Sequence, residues 1–186
     1  RSEVFVGADN RAAGRTAGLL LARMASQERD TLLLLSQTTR MSAEIERRIG
    51  FAQVVEERFP QLKVVRAPDL PYDEAGIYTC LKEYLQSEID PACLAGIYSV
   101  GAGTEGIVRA LKDLGIDQKQ GLVAHDFTEA HQTFLIGGEL SYVLNQDIYY
   151  CVLTAARVLR GLCENVRGAL SVVQPRVEIL TAENIH

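Results

Sequence analysis

The chain has 186 residues, 47% of them apolar, a length and composition that suit one α/β domain with a sizeable core. A formal net charge of −5 and the lack of any basic run argue against a nucleic-acid surface on this chain, and no apolar stretch is long enough to cross a membrane as a helix. The first residue is Arg1 rather than Met and no charged-then-apolar leader follows it, which leaves room for an upstream region.

In chain order, short apolar runs alternate with segments of helical period. The runs at 4–8, 31–36, 62–67, 94–100, 122–125 and 140–144 predict buried strands. The segments at 12–26, 43–58, 74–87, 106–114 and 128–136 predict the helices between them. Strands apolar on both faces, alternating with amphipathic helices, imply a three-layer α/β/α lobe with a parallel sheet of about six strands. The punctuation agrees: Pro60 follows the second helix, Pro68 and Pro71 bracket the turn before the third, and Gly115 and Gly137-Gly138 close later ones. The rhythm then changes. Residues 148–162 predict a further helix, and two apolar runs follow at 169–174 and 177–181.

Ligands of such sheets sit beyond the carboxyl ends of the strands, so residues at strand tips are the candidates. Gly101-Ala102-Gly103-Thr104-Glu105-Gly106 is a literal GxGxxG between a strand and a helix, and Asp126 lies twenty residues past Gly106. That spacing fits a dinucleotide fingerprint with its ribose-binding acid; it also fits any tight strand-to-helix turn. Arg47 and Arg48 lie in the second helix, where an arginine on the upper edge would offer a planar fork to paired hydroxyls or a carboxylate. Asp126 follows a strand and serves either as a helix cap or as a carboxylate at the rim. Tyr72 and Gln146-Asp147 occupy similar tips. The cysteines Cys80, Cys93, Cys151 and Cys163 are widely spaced in apolar segments and read as small buried hydrophobes. The histidines His125, His131 and His186 have no nucleophile at a recognisable spacing, and neither a catalytic constellation, a metal site nor a cofactor is expected.

These residues resemble the effector-binding core of LacI-type transcription regulators and their relatives, the periplasmic sugar-binding proteins. Residues 6–14 (VGADNRAAG) look like the family's first crossover between lobes. Arg47-Arg48-Ile49-Gly50-Phe51 resembles its R-x-x-G-F helix, and Ala124-His125-Asp126-Phe127-Thr128 its strand-end G-[FYH]-D-x-T. Leu144-Asn145-Gln146-Asp147 looks like the return crossover. Pro175-Arg176-Val177-Glu178-Ile179-Leu180, followed by Glu183-Asn184, resembles the close of many LacI-type regulators.

The resemblance implies a periplasmic-binding-protein-like lobe over 1–145, a remnant of the N-terminal lobe over 146–176, and a final strand and tail over 177–186. Carried across, the family's ligand contacts fall on Asp9, Arg47, Tyr72, Asp126 and Gln146. The family's fourth strand usually ends in a contacting asparagine; here the tip reads Ser99-Val100-Gly101, so that contact is absent or replaced by Ser99 or a loop backbone group.

The implied function is non-enzymatic sensing of a sugar or polyol effector by a cytoplasmic regulator, which meets DNA only through a head region absent from this chain. The alternatives are the solute-binding protein of a sugar importer, and a dinucleotide-binding enzyme domain using Gly101, Gly103 and Gly106. In the family, the helix after the return crossover packs on the N-terminal lobe's sheet, which is missing here. The apolar helix 148–162 is therefore expected either to fold back on its own lobe or, as the preferred outcome, to pack against a second copy in a homodimer.

Overall fold

The computed structural model describes residues 4–37, 41–101, 103–116, 120–164, 172 and 174–185. Within them, helices and strands alternate: α1 (Asn10–Met24), β1 (Thr31–Leu35), α2 (Ser42–Arg58), β2 (Lys63–Arg66), α3 (Glu74–Glu88), β3 (Leu94–Ser99), α4 (Thr104–Asp113), β4 (Gly121–His125), α5 (Glu129–Gly137), β5 (Tyr142–Gln146), α6 (Ile148–Cys163) and β6 (Val177–Leu180). The strands form one sheet in the order β2-β1-β3-β4-β5-β6. Pairing is parallel throughout except between β5 and β6, which run antiparallel with Gln146 opposite Val177 and Val143 opposite Leu180.

Strand alternation splits the core into two layers. Leu33 and Leu35 of β1 pack with Ile77, Leu81, Ile107 and Leu135 from α3, α4 and α5. Leu32 and Leu34 point the other way, onto Leu21 of α1 and Phe51 and Val54 of α2. Burying each such side chain is worth about 1.5–3 kcal/mol, and β1, β3 and β4, buried along their whole length, are correspondingly rich in apolar residues. Helices thus cover both faces, and the fold is the three-layer α/β/α arrangement expected from the alternation.

Two expectations are corrected. Residues 4–8 form no strand: Val4 and Phe5 are exposed, only Ala8 is buried, and the run leads straight into α1 at its N-cap Asp9. A short apolar run leading into a helix cap carries the same composition as a buried strand, and periodicity cannot separate them. The sixth strand is instead β6, which brings the chain back along β5. The cysteines are not core residues either: Cys80, Cys93 and Cys151 are half-buried and Cys163 is exposed, all as free thiols. Of the run at 169–174, residues 169–171 and 173 lie outside the described residues, and Val172 is not in a strand.

Helix α6 does not fold back onto the sheet. Ile148, Tyr149, Val152, Leu159 and Leu162 are between 57% and 76% exposed, and only Val158 and Gly161 are buried. The helix is held at its start by Asp147, whose side chain accepts from the Tyr150 amide.

Candidate ligand-binding site

The carboxyl ends of the parallel strands open into a cleft of about 520 Å³. Its floor comes from the strand tips: Gln37 just beyond β1, Gly101 after β3, His125 and Asp126 at β4, and Gln146 at the end of β5. Its walls come from the first turns of α2 (Met41, Ala43, Glu44, Arg47) and α4 (Thr104, Glu105), and from Thr128 and His131 at α5. Helices α1, α3, α5 and α6 are capped by the side chains of Asp9, Asp73, Thr128 and Asp147. The N-cap residues of α2 and α4, Met41 and Gly103, make no side-chain cap bond. Both of these helix starts line the cleft, where first-turn amides suit the oxygens of a ligand.

Arg47 is 8% exposed. Its Nε donates to Asn10 Oδ1 at 2.9 Å and its Nη1 to the Val100 carbonyl at 3.0 Å, so two of its N–H groups are spent on orientation. Asp126 is held on several sides. Its amide donates to Leu144 O at 3.0 Å, its carbonyl meets His131 Nδ1, and Gln146 Nε2 donates to its Oδ1 at 2.9 Å. It adopts φ +62°, the sole positive φ outside glycine among the described residues. A side chain in the left-handed region persists where its surroundings fix it, and such residues gather at binding sites.

Behind this rim lies a buried polar pair. Tyr98 and His125 are 0% and 5% exposed, and the Tyr98 hydroxyl meets His125 Nε2 at 2.6 Å. Burial holds the His125 imidazole well below the usual histidine range, with Arg47 and His131 adding to the effect, so the ring is neutral near pH 7. Burial likewise pushes the Tyr98 phenol up. Phe51 stacks on Tyr98 with ring centroids 4.8 Å apart. Two neutral groups sharing one hydrogen bond form a rigid floor. His131 joins the walls in the same way, bonding Thr104 Oγ1 through Nε2 at 2.9 Å.

Of the residues picked out in the sequence, Arg47, Asp126 and Gln146 come together in this cleft. The other three do not line it. Tyr72 is 72% exposed in the turn before α3, touching the wall only indirectly, since Gln37 Nε2 donates to the neighbouring Pro71 carbonyl. Asp9 caps α1 by accepting from the Ala12 amide at 2.9 Å and lines a separate cavity. Ser99 is buried within β3. The cap before α5 is Thr128, not Asp126.

The sequence reading gave no ligand role to several lining residues, among them Gln37, Glu44, His131 and the neutral floor residue His125. Glu44 had a visible signal, being three positions before Arg47 on the same helix face. The glycine loop is shaped by packing. Gly103 has φ +85°, and a Cβ on Gly106 would lie 2.6 Å from the Glu74 carbonyl of α3.

The model of the periplasmic binding protein domain family matches residues 2–165. No curated protein matches the chain. Among solved structures, the chain is similar to GanP, a glucose-galactose binding protein from Geobacillus stearothermophilus, with a TM-score of 0.86 at 17% identity over 100% of this chain and 64% of that one. It is similar to AraP, an arabinose binding protein from the same organism, with a TM-score of 0.81 at 19% identity over 99% and 64%. It is also similar to a putative LacI transcriptional regulator from Bacteroides fragilis, with a TM-score of 0.80 at 16% identity over 96% and 61%. The chain thus spans less than two thirds of the length of each of these structures. At these identities the likeness establishes the fold, and the family match over most of the chain establishes membership: this chain belongs to the periplasmic binding protein domain family.

Proposed function

We propose that the chain carries one lobe of a sugar- or polyol-sensing protein and performs no catalysis. The convergence of Arg47, Asp126 and Gln146 on one cleft at the strand tips supports this reading most directly. Arginine and aspartate offer paired, charge-assisted hydrogen bonds to adjacent hydroxyls, and Gln146 adds an amide. A ligand lacking one of those hydroxyls leaves a buried group unpaired at about 1–3 kcal/mol, which gives selectivity. The names of GanP and AraP as sugar-binding proteins lie in the same direction.

The preferred context is a LacI-type regulator acting in the cytoplasm, whose DNA contact belongs to a head outside these residues. The supporting feature is the ending at Pro175–Leu180 with Glu183-Asn184. In such a protein the sugar closes two lobes over the cleft, and that closure biases DNA binding by a dimer. The second reading, a solute-binding protein of a sugar importer, draws on the sugar-binding proteins among the structural neighbours. The coding sequence upstream of Arg1 separates them: a helix-turn-helix supports the first and an export signal the second.

For binding itself the test is calorimetry with D-glucose, D-galactose, L-arabinose, D-xylose and NAD. The reading predicts binding by one or more of the sugars and none by NAD. The opposite pattern would favour a dinucleotide site at the Gly101–Gly106 loop.

A further inference from the structure

We infer that Asn10 is a positioning residue for Arg47, so that the first turn of α1 sets the geometry of the ligand site. The inference rests on reading Arg47 as a ligand contact. Helices α1 and α2 meet backbone to backbone at two reciprocal points. A Cβ on Gly14 would lie 1.9 Å from the Arg47 carbonyl oxygen, and one on Gly50 would lie 2.1 Å from that of Arg11. Glycine at both points lets α1 seat the backbone of Arg47 directly.

The side chain is then fixed at two separate edges of its fork. Asn10 Oδ1 accepts from Nε, and Val100 O accepts from Nη1. A planar guanidinium held at both places cannot rotate about its long axis, which aims the rest of the fork at the cleft. The acceptor on α1 is a neutral amide. It orients the cation without neutralising it, leaving the charge for ligand hydroxyls. A carboxylate there would compete with the ligand as a full ion pair. Asn10 is also the first residue of α1, immediately after the segment at 4–9, so a displacement of that segment is passed to the ligand arginine through one hydrogen bond.

The test reads the Arg47 Nε–H by side-chain nitrogen NMR in this chain, with no ligand needed. The expected result is exchange slowed about tenfold or more relative to exposed arginines in the wild type, loss of that protection in Asn10→Ala, and its recovery in Asn10→Asp, which keeps an acceptor. Melting temperatures of the three proteins check that the fold is retained. Binding of D-galactose, D-glucose and L-arabinose is measured alongside, and whichever sugar binds the wild type should bind Asn10→Ala about tenfold more weakly. Failure of every sugar to bind would count against the functional reading alone, while the Nε–H exchange still decides the role of Asn10. Unchanged protection in a folded Asn10→Ala, or lost protection in Asn10→Asp, would overturn the inference.

Discussion

Gln146 at the end of β5 donates to the Asp126 carboxylate beyond β4 at 2.9 Å, joining two strand tips across the floor of the cleft. The bond crosses between neighbours in the sheet and holds a carboxylate whose backbone sits at φ +62°.

That backbone reverses the usual ranking of glycine and alanine. At an ordinary position, glycine costs stability relative to alanine because it gives the unfolded chain more conformational entropy to lose on folding. At a positive φ, a Cβ costs about 1–2 kcal/mol. Asp126→Gly is therefore expected to exceed Asp126→Ala in stability by about 1–2 kcal/mol in urea unfolding. Both should lose sugar binding, since both lack the carboxylate. A more stable Asp126→Ala would show that the strain is not there.

The buried imidazole gives a pH dependence with a definite sign. His125 is held below its ordinary value in the fold, so the unfolded chain binds the proton first as pH falls. Its contribution is present above about pH 6.5 and declines below it, with a slope of at most about 1.4 kcal/mol per pH unit. Asp30 is held low by hydrogen bonds from the Thr31 hydroxyl and Lys63, Asp113 by the Tyr78 hydroxyl and Lys82, Glu57 by Arg15 and Glu139 by Lys112, so these carboxylates lie below their ordinary range and outside this window. His125→Gln keeps a partner for the Tyr98 hydroxyl and removes the titration. Its stability should be flatter between pH 6.5 and 5 than that of the wild type, and identical slopes would show that His125 does not titrate on unfolding.

Much of this architecture was legible because buried parallel strands must be apolar on both faces. The continuous run Leu32, Leu33, Leu34 and Leu35, bounded by polar residues and set between helical periods, suits a strand covered on both faces, and the helices between such strands followed from their period. Residues 4–8 misled because a short apolar segment before a helix cap has the same apolar content as a strand. The β5–β6 pairing joins segments more than thirty residues apart, and local pattern carries no trace of that direction. Of the cleft lining, Asp126 and Gln146 were readable from strand tips, and Arg47 from its helix motif and the family resemblance. Asn10 was not, because its role comes from the close approach of two helices at Gly14 and Gly50. Tyr72 shows the converse: a tip position in sequence places a residue near a rim but does not turn its ring inward.

The exposed face of α6 predicts self-association of this chain. Val152 and Leu159 are 61% and 62% exposed, as are Ile148 at 61%, Tyr149 at 76% and Leu162 at 57%. Each large apolar side chain covered is worth about 1.5–3 kcal/mol, so a two-fold contact between copies of α6 is favoured at high concentration. Light scattering should give a mass that rises with concentration towards a dimer. The double variant Val152→Glu, Leu159→Glu should stay monomeric with the sheet intact. A wild-type monomer at high concentration would remove the dimer from the account.

The most direct measurement of the central claim is an NMR titration of this chain with D-galactose, D-glucose and L-arabinose, following backbone amides and the Arg47 Nε–H. On the proposed reading the chain is one lobe and covers only one face of its ligand, so binding by this chain alone should be weak, in the millimolar range, and fast in exchange. The account predicts that shifts with at least one sugar concentrate at Arg47, His125, Asp126 and Gln146, and that Arg47→Ala abolishes them without unfolding the sheet. Saturating shifts elsewhere on the molecule, with these four residues unmoved, would contradict it.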